Sequence, residues 1–139
     1  MTLLDASALI AFIRGEPAME SVLAILRRGS AAMTAANIAE VYDKASRGAG
    51  LSHAQVADLI EPLFEGPIIP VPVDVDLARR AGEIRSRHYH RKHRPISLAD
   101  CVLLGAPGPD DEVASSDSDV LAVAAELGIE TIELPSSSG

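Results

Sequence analysis

The chain has 139 residues, of which 47% are hydrophobic but only 3% aromatic, and its formal net charge at pH 7 is -8. A domain of this length buries roughly 68% of its unfolded surface, so we expect one core built from aliphatic side chains. The single cysteine excludes an internal disulfide and a CxxC metal motif. Because no apolar run approaches the ~18 residues of a membrane span and no basic leader precedes Asp5, we expect a soluble cytoplasmic protein with no membrane partner.

The first half of the chain alternates short apolar runs with longer amphipathic runs that end in glycine. This pattern predicts two short strands, at 2–4 and 30–34. It also predicts four helices: 6–15, closed by Gly15; 17–29, with Pro17 in its first turn; 35–48; and 52–63, opened by a capping box of Ser52 and Gln55.

The second half continues the alternation. Prolines in the extended stretch 67–73 predict an edge strand, and Asp74 is predicted to cap a long basic helix. The predicted elements are that helix at 75–90, a helix at 96–105, a strand at 112–115, a helix at 119–128 and a final strand at 129–134. Strands that alternate with helices predict a single α/β domain, with a mostly parallel central sheet flanked by helices on both faces. Residues 136–139 are expected to form a disordered tail.

Four acids stand in apolar surroundings, far apart in the sequence. Asp5 and Asp117 each follow a predicted strand, and Glu40 and Asp100 lie near the starts of predicted helices. The carboxyl ends of parallel strands and the helix starts that follow them share one edge of the sheet. We therefore expect the four carboxylates to converge there.

Converging carboxylates repel one another near neutral pH unless a cation joins them. Oxygen ligands without His or Cys favour Mg²⁺, with Mn²⁺ able to substitute. Each acid also has an ordinary structural alternative: a capping box with Ser97 for Asp100, an N-cap for Asp117, an ion pair with Lys44 for Glu40, and a first-turn helix acid for Asp119. For Asp5 the ordinary alternative is weakest, because a buried carboxylate has few ordinary partners. Cys101 is expected to be a small buried side chain rather than a nucleophile.

Four segments of the chain resemble, in order and spacing, the acidic blocks of the PIN-domain ribonucleases, and specifically the VapC toxins of bacterial toxin-antitoxin pairs. These segments are LLDASALIAFI, NIAEVYDKASRG, SLADCVLL and VASSDSDVLAVAAELGIETIEL. The resemblance implies a PIN-like fold over residues 1–135 and a Mg²⁺-dependent endoribonuclease that is inhibited by a VapB-like antitoxin and forms a homodimer.

The resemblance also implies roles for particular residues. The positions that match the catalytic acids of the family are Asp5, Glu40, Asp100 and Asp117. Those that match its metal ligands are Asp5, Asp100 and Asp117, with Asp119 as an additional acid. The small hydroxyl residues that the family has beside the first and fourth acids correspond to Ser7 and Ser115. One departure is the segment GAPGPDD at 105–111, which replaces a longer helix end.

A cluster of cations interrupts the acidic composition. RNA must bring its phosphates past the carboxylates, and cations on one face would offset the repulsion by contacting the flanking backbone. The predicted RNA-binding residues are Arg79, Arg80, Arg85, Arg87, Arg91, Lys92 and Arg94. A solvated helix with intrahelical ion pairs is the alternative for this segment.

Other functions stay open on the sequence alone. The same fold suits an RNA-processing nuclease outside a toxin-antitoxin pair, or a catalytically silent RNA-binding module. A phosphotransferase of the haloacid dehalogenase type would need Asp-x-Asp after the first strand, where Ser7 stands instead. A response-regulator receiver would need a late lysine, and neither Lys nor Arg follows Arg94.

Overall fold

The structure, a computed structural model, describes residues 1–48 and 50–136. In these residues five parallel strands form one sheet, with the order β3-β2-β1-β4-β5. The strands are β1 (Thr2–Leu4), β2 (Ala31–Thr34), β3 (Ile68–Val71), β4 (Glu112–Ser115) and β5 (Glu130–Glu133). The fold class predicted from the sequence is confirmed, and so is the edge position of the proline-containing strand. Residues 137–139, most of the predicted tail, lie outside the described residues.

Seven helices connect the strands in the described part of the chain. They are α1 (Ala6–Arg14), α2 (Met19–Arg28), α3 (Ala35–Gly48), α4 (His53–Phe64), α5 (Val75–His88), α6 (Leu98–Gly105) and α7 (Ser118–Glu126). Within the described residues, no helix combines the length and the hydropathy that crossing a bilayer requires.

Local signals set most of these boundaries. Ser52 and Gln55 form the predicted capping box of α4, and the Asp74 side chain accepts a 2.8 Å hydrogen bond from the Leu77 amide at the start of α5. Gly15 ends α1 with a φ of 65°, a left-handed conformation that glycine adopts without steric cost.

Several predicted boundaries were off by two residues, among them the starts of α2 and α6 and the ends of α5 and α7. Helix α2 begins at Met19 rather than at Pro17, because residues 17 and 18 form a turn and the cap is Ala18. Helix α5 ends at His88 rather than at residue 90, because Tyr89 is already extended and His90 pairs with Arg94 in a short antiparallel bridge.

The three central strands, β1, β2 and β4, are buried on both faces, and their successive side chains point to opposite sides of the sheet. Leu4 and Met33 pack towards α1, α2, α3 and α4. Leu3, Ala32 and Val113 pack towards α5, α6 and α7. On this second face α6 lies close to α5, and a Cβ at Gly105 would come within 3.2 Å of the Leu77 side chain.

The point at which the strand order reverses lies between β1 and β4. From β1 the chain winds outwards through β2 to β3, then returns to pair β4 with the other side of β1. Crevices for ligands in parallel α/β sheets form outside the carboxyl ends of the strands at such a switch. Leu4, the last residue of β1, is in register with Ala114, so Asp5 and the residues that follow β4 lie beside each other.

Candidate active site at the carboxyl edge of the sheet

Asp5 is a buried carboxylate, with 6% of its surface exposed, at the point where β1 becomes α1. It is the N-cap of α1, where its Oδ1 accepts from the Ala8 amide at 3.3 Å and from the Ser7 hydroxyl at 2.5 Å. The Ser115 hydroxyl, from β4, donates to Oδ2. Burial raises the pKa of Asp5 above 3.8, against the effect of these hydrogen bonds, and the negative charge of Asp117 raises it further. The helix cap explains the position of Asp5 but does not neutralise its charge.

Asp117 is joined to Asp5 through Ser115. The Ser115 hydroxyl that donates to Asp5 also accepts a 3.0 Å hydrogen bond from the Asp117 amide. Asp117 is the N-cap of α7, and its Oδ1 accepts from the amides of Asp119 and Val120 at 2.8 and 3.3 Å. The N-cap alternative for Asp117 is therefore confirmed, while its Oδ2 has no hydrogen-bond partner among the described residues. Asp119 lies in the first turn of α7.

Asp100 lies at the start of α6 and forms the predicted capping box. Its Oδ2 accepts from the Ser97 amide at 3.0 Å, and its own amide donates to the Ser97 hydroxyl at 3.0 Å. Partial burial raises the pKa of Asp100 above 3.8, and the charges of Asp117 and Glu40 raise it further, while the hydrogen bonds from Ser97 oppose the shift. Its second oxygen, Oδ1, makes no hydrogen bond to any residue that the structure describes.

Glu40 projects from the second turn of α3 and is held from both sides. Its Oε1 accepts a 3.2 Å hydrogen bond from the Asn37 side-chain amide, and the Asn37 carbonyl oxygen accepts a 2.5 Å bond from the Thr34 hydroxyl. Thr34 and Asn37 are both fully buried. The Lys44 ammonium lies 3.5 Å from the other oxygen, Oε2, so the predicted ion pair is also present.

The four predicted acids lie close enough to affect one another. The charge of Asp117 acts on Asp5 and on Asp100, and that of Glu40 acts on Asp100. They do not surround a common point, since no three Asp, Glu, His or Cys side chains among residues 1–48 and 50–136 form a group that could hold a metal ion. Helix capping draws the carboxylate of Asp100 towards the Ser97 amide, and that of Asp117 towards the first amides of α7.

The chemistry of this donor set nevertheless fits a hard divalent cation. Three of the acids, Asp5, Asp100 and Asp117, form no hydrogen bond or ion pair with a Lys or Arg side chain in the described part of the chain. Mg²⁺ usually keeps several waters and binds through one or two carboxylates together with substrate phosphates, so it does not require a closed cage of protein ligands. The residues present are therefore compatible with Mg²⁺ or Mn²⁺.

The predicted RNA-binding cations are mostly committed to other contacts. Arg79 and Arg87 form ion pairs within α5, with Asp76 and Glu83, at 3.0 and 2.8 Å. Arg94 binds both carboxylate oxygens of Glu126. Two others donate to backbone carbonyls, Arg80 to Gly105 at 3.0 Å and Arg85 to Ile96 at 3.2 Å. Of the seven, only Arg91 and Lys92 have side chains without a hydrogen bond or ion pair to a described residue.

The sequence reasoning missed three residues at this edge: Thr34, Asn37 and Ser116. The Ser116 hydroxyl donates to that of Ser7 at 3.3 Å, while Thr34 and Asn37 support Glu40. The i, i+3 spacing of Thr34, Asn37 and Glu40 places them on one side of a helix start. The sequence signal that could have identified Thr34 and Asn37 was the presence of two polar residues in an otherwise apolar run.

Comparisons with known proteins agree with this fold. A family model described as PIN domain matches residues 2–133. No curated protein matches the chain. The solved structures that are similar to it include three complexes. FitAcB from Neisseria gonorrhoeae has a TM-score of 0.66 at 24% identity over 96% of this chain and 97% of that chain. DNA-bound VapBC from Salmonella typhimurium has a TM-score of 0.68 at 16% identity over 95% and 96%. FitAB bound to an IR36 DNA fragment has a TM-score of 0.67 at 24% identity over 96% and 94%.

Proposed function

Because this chain belongs to the PIN domain family, we propose that it is a Mg²⁺-dependent endoribonuclease toxin of the VapC type, inhibited by a cognate antitoxin. The observation that carries the proposal is the set of four carboxylates at the switch between β1 and β4. Three of them, Asp5, Asp100 and Asp117, lack a cationic partner among the described residues although they lie within electrostatic range of one another. Mutual repulsion in such an arrangement lowers the stability of the folded protein unless a cation binds there. A cluster of this kind is therefore typical of a cation-binding functional site.

The residues of this edge would divide the work of phosphodiester hydrolysis. Asp5, Asp100 and Asp117 would hold the cation directly or through water, with Asp119 as a further acid at the same helix start. A bound Mg²⁺ would supply a water of lowered pKa and neutralise charge on the phosphate. Glu40 is suited to orient the attacking water, because Asn37 fixes one of its oxygens.

The hydroxyls of Ser7 and Ser115 keep Asp5 in one orientation and favour its ionised form. Each donates to a different oxygen of the carboxylate, so the side chain cannot rotate without losing one bond. Hydrogen bonds to an ionised carboxylate also oppose the effect of burial on its pKa. A site that must be anionic near neutral pH requires this support.

An antitoxin partner follows from the same proposal. The resemblance of the sequence to VapC toxins and the likeness of the fold to VapBC and FitAB complexes support it. Since the cleft is acidic, a cationic side chain from the antitoxin would compete with the metal there. We also propose that the enzyme is a homodimer and acts in the cytoplasm.

The test is cleavage of pooled single-stranded RNA by the purified chain, with Mg²⁺ and with EDTA. We expect cleavage with Mg²⁺ or Mn²⁺, none with EDTA, and none of DNA of the same sequence. Expression of the chain alone should arrest growth, and expression together with its antitoxin should restore it. Folded protein that binds RNA but leaves it intact at every Mg²⁺ concentration would be a silent RNA-binding module, while cleavage without growth arrest would indicate an RNA-processing nuclease.

A further inference from the structure

A groove runs between α1 and α3 and opens beside the candidate acids. It consists of two adjoining cavities, of about 180 and 500 Å³, that share Ile10, Arg14 and Lys44. We call it the α1–α3 groove; its polar lining is formed by Ser7, Arg14, Glu16, Lys44, Arg47 and Ser116. None of its cations belongs to the basic segment 79–94.

The charge of the groove is opposite to that of the chain as a whole. It contains three cations and one acid, Glu16, in a protein whose net charge is -8. Arg14 is exposed and makes no hydrogen bond or ion pair with any described residue. Lys44 has only the 3.5 Å pair with Glu40, whereas Arg47 binds both oxygens of Asp43, at 2.9 and 2.5 Å. Arg14 and Lys44 are therefore the cations available to a ligand.

The inner end of the groove reaches the hydroxyls that surround the acids. Ser7, which lines the groove, donates to Asp5, and Ser116, which also lines it, precedes Asp117. Lys44 connects the groove to Glu40. If one anionic group of a bound chain lay in the groove, the next anionic group of that chain would therefore lie beside the carboxylates.

The Arg14 guanidinium lies where a glycine leaves room for it. Gly48 ends α3, and a Cβ built on Gly48 would overlap the Nη2 atom of Arg14. Because the overlapping atom is the end of a flexible side chain, a substitution at Gly48 would move the guanidinium rather than the helix. Gly48 therefore gives a way to displace the charge of Arg14 without removing it.

We propose that the α1–α3 groove binds a backbone phosphate of the RNA strand next to the scissile phosphate, with Arg14 as its principal contact and Lys44 as the second. This inference rests on the proposed function, because it assumes an RNA substrate at the acids. A phosphodiester backbone carries a regular series of negative charges. One phosphate can therefore contact the cations of the groove while the neighbouring phosphate lies at the proposed metal site. The planar guanidinium matches phosphate oxygens in a bidentate geometry. In the basic segment, Arg80 and Arg85 donate to backbone carbonyls and Arg94 binds Glu126, so these three cations are less available to a phosphate.

The first measurement is binding of a fluorescent single-stranded RNA oligonucleotide in EDTA, followed by anisotropy over a range of NaCl concentrations. Arg14→Gln should reduce the slope of log K against log salt by about 0.7, which at 0.1 M salt corresponds to about fivefold weaker binding. Gly48→Ala, which keeps the charge, should also weaken binding. Arg27→Gln is the matched control, because Arg27 is an exposed arginine in the last turn of α2 and has the same charge change outside the groove. Thermal unfolding should show that all three variants are folded.

The second measurement is steady-state cleavage with Mg²⁺, where Arg14→Gln should raise KM and leave kcat close to the wild-type value. Equal RNA affinity and salt slope in Arg14→Gln and Arg27→Gln, with wild-type cleavage intact, would overturn the groove proposal alone. Absence of wild-type cleavage would instead refute the proposed function. If an oligoglutamate peptide binds in an Arg14-dependent way and RNA does not, the groove takes an acidic protein segment and the RNA assignment is wrong.

Discussion

Replacing Asp5 with Asn tests whether the buried carboxylate serves a cation or only caps a helix. Asn retains one oxygen that can accept from the Ala8 amide and the Ser7 hydroxyl, and it is about as good an N-cap as Asp, so the helix start should survive although the Ser115 hydroxyl loses its acceptor. The negative charge is lost. The free energy of unfolding in EDTA at pH 7 should therefore be equal to or higher than that of the wild type.

The pH dependence has a definite sign. Burial raises the pKa of Asp5 in the folded protein above 3.8, so as the pH rises the unfolded chain loses this proton first. The wild type thus loses stability as the pH rises from about 3.8 to the folded-state pKa, and the loss persists at neutral pH. Asp5→Asn lacks this loss. Its stability advantage in EDTA should be present at pH 7 and disappear as the pH falls towards 4.

A metal should reverse the ranking of the two proteins. A cation that binds only the folded wild type at tenfold excess over Kd adds about 1.4 kcal/mol, which is roughly a 5 °C rise in Tm for a domain of this size. Asp5→Asn should show a much smaller rise with Mg²⁺ or Mn²⁺, and RNA cleavage should fall steeply. The assay is thermal unfolding in EDTA and in a metal titration, with cleavage measured on the same samples.

Asp111→Asn is the control for removing a carboxylate elsewhere. Asp111 lies at the amino edge of the sheet, where the N-terminal ammonium is 2.6 Å away and lowers the pKa of its carboxyl. That variant should be slightly less stable than the wild type at pH 7, with an unchanged metal response and unchanged cleavage. Equal metal-dependent shifts in the wild type and Asp5→Asn, with cleavage intact in both, would refute the assignment of Asp5 to a metal site.

Two further predictions concern buried groups. Asn37→Ala should lower kcat with little change in KM, because Glu40 loses its fixed orientation, and should cost about 1–3 kcal/mol of stability, because the buried Thr34 hydroxyl loses its acceptor. Unchanged single-turnover cleavage would show that Asn37 does not position Glu40. Burial raises the pKa of Cys101 to about 11, so iodoacetamide at pH 8 should modify it only after unfolding. Rapid modification of the native protein would contradict its burial.

Helix capping and metal binding are compatible at this edge. Asp100 and Asp117 each use one carboxylate oxygen to accept from backbone amides, which leaves the other oxygen available. The amides also fix each side chain near the end of a helix whose dipole favours negative charge. A capping pattern in the sequence therefore does not argue against a ligand at the same residue, and metal titration of single variants is needed to separate the two roles.

Local sequence determined most of the fold. Helix starts at Asp74, Ser52 and Ser97 depend on a cap and an amide three residues away, so spacing along the chain was enough to predict them. The apolar runs predicted β1, β2 and β4 because both faces of these central strands are buried. Two of the wrong boundaries, at Pro17 and after His88, lie where turn geometry or a short bridge competes with helical propensity.

Only the tertiary structure decided which charged groups are paired across long separations in the sequence. The Ser115 hydroxyl reaches Asp5 across 110 residues of sequence, and Arg94 reaches Glu126 across 32. A cluster of cations in the sequence therefore does not predict a free cationic surface, because distant carboxylates can neutralise it. Arg14 shows the converse, since it stands alone in the sequence yet faces a groove beside the acids. Electrostatic interactions depend on distance in space rather than on separation along the chain, and the fold sets that distance.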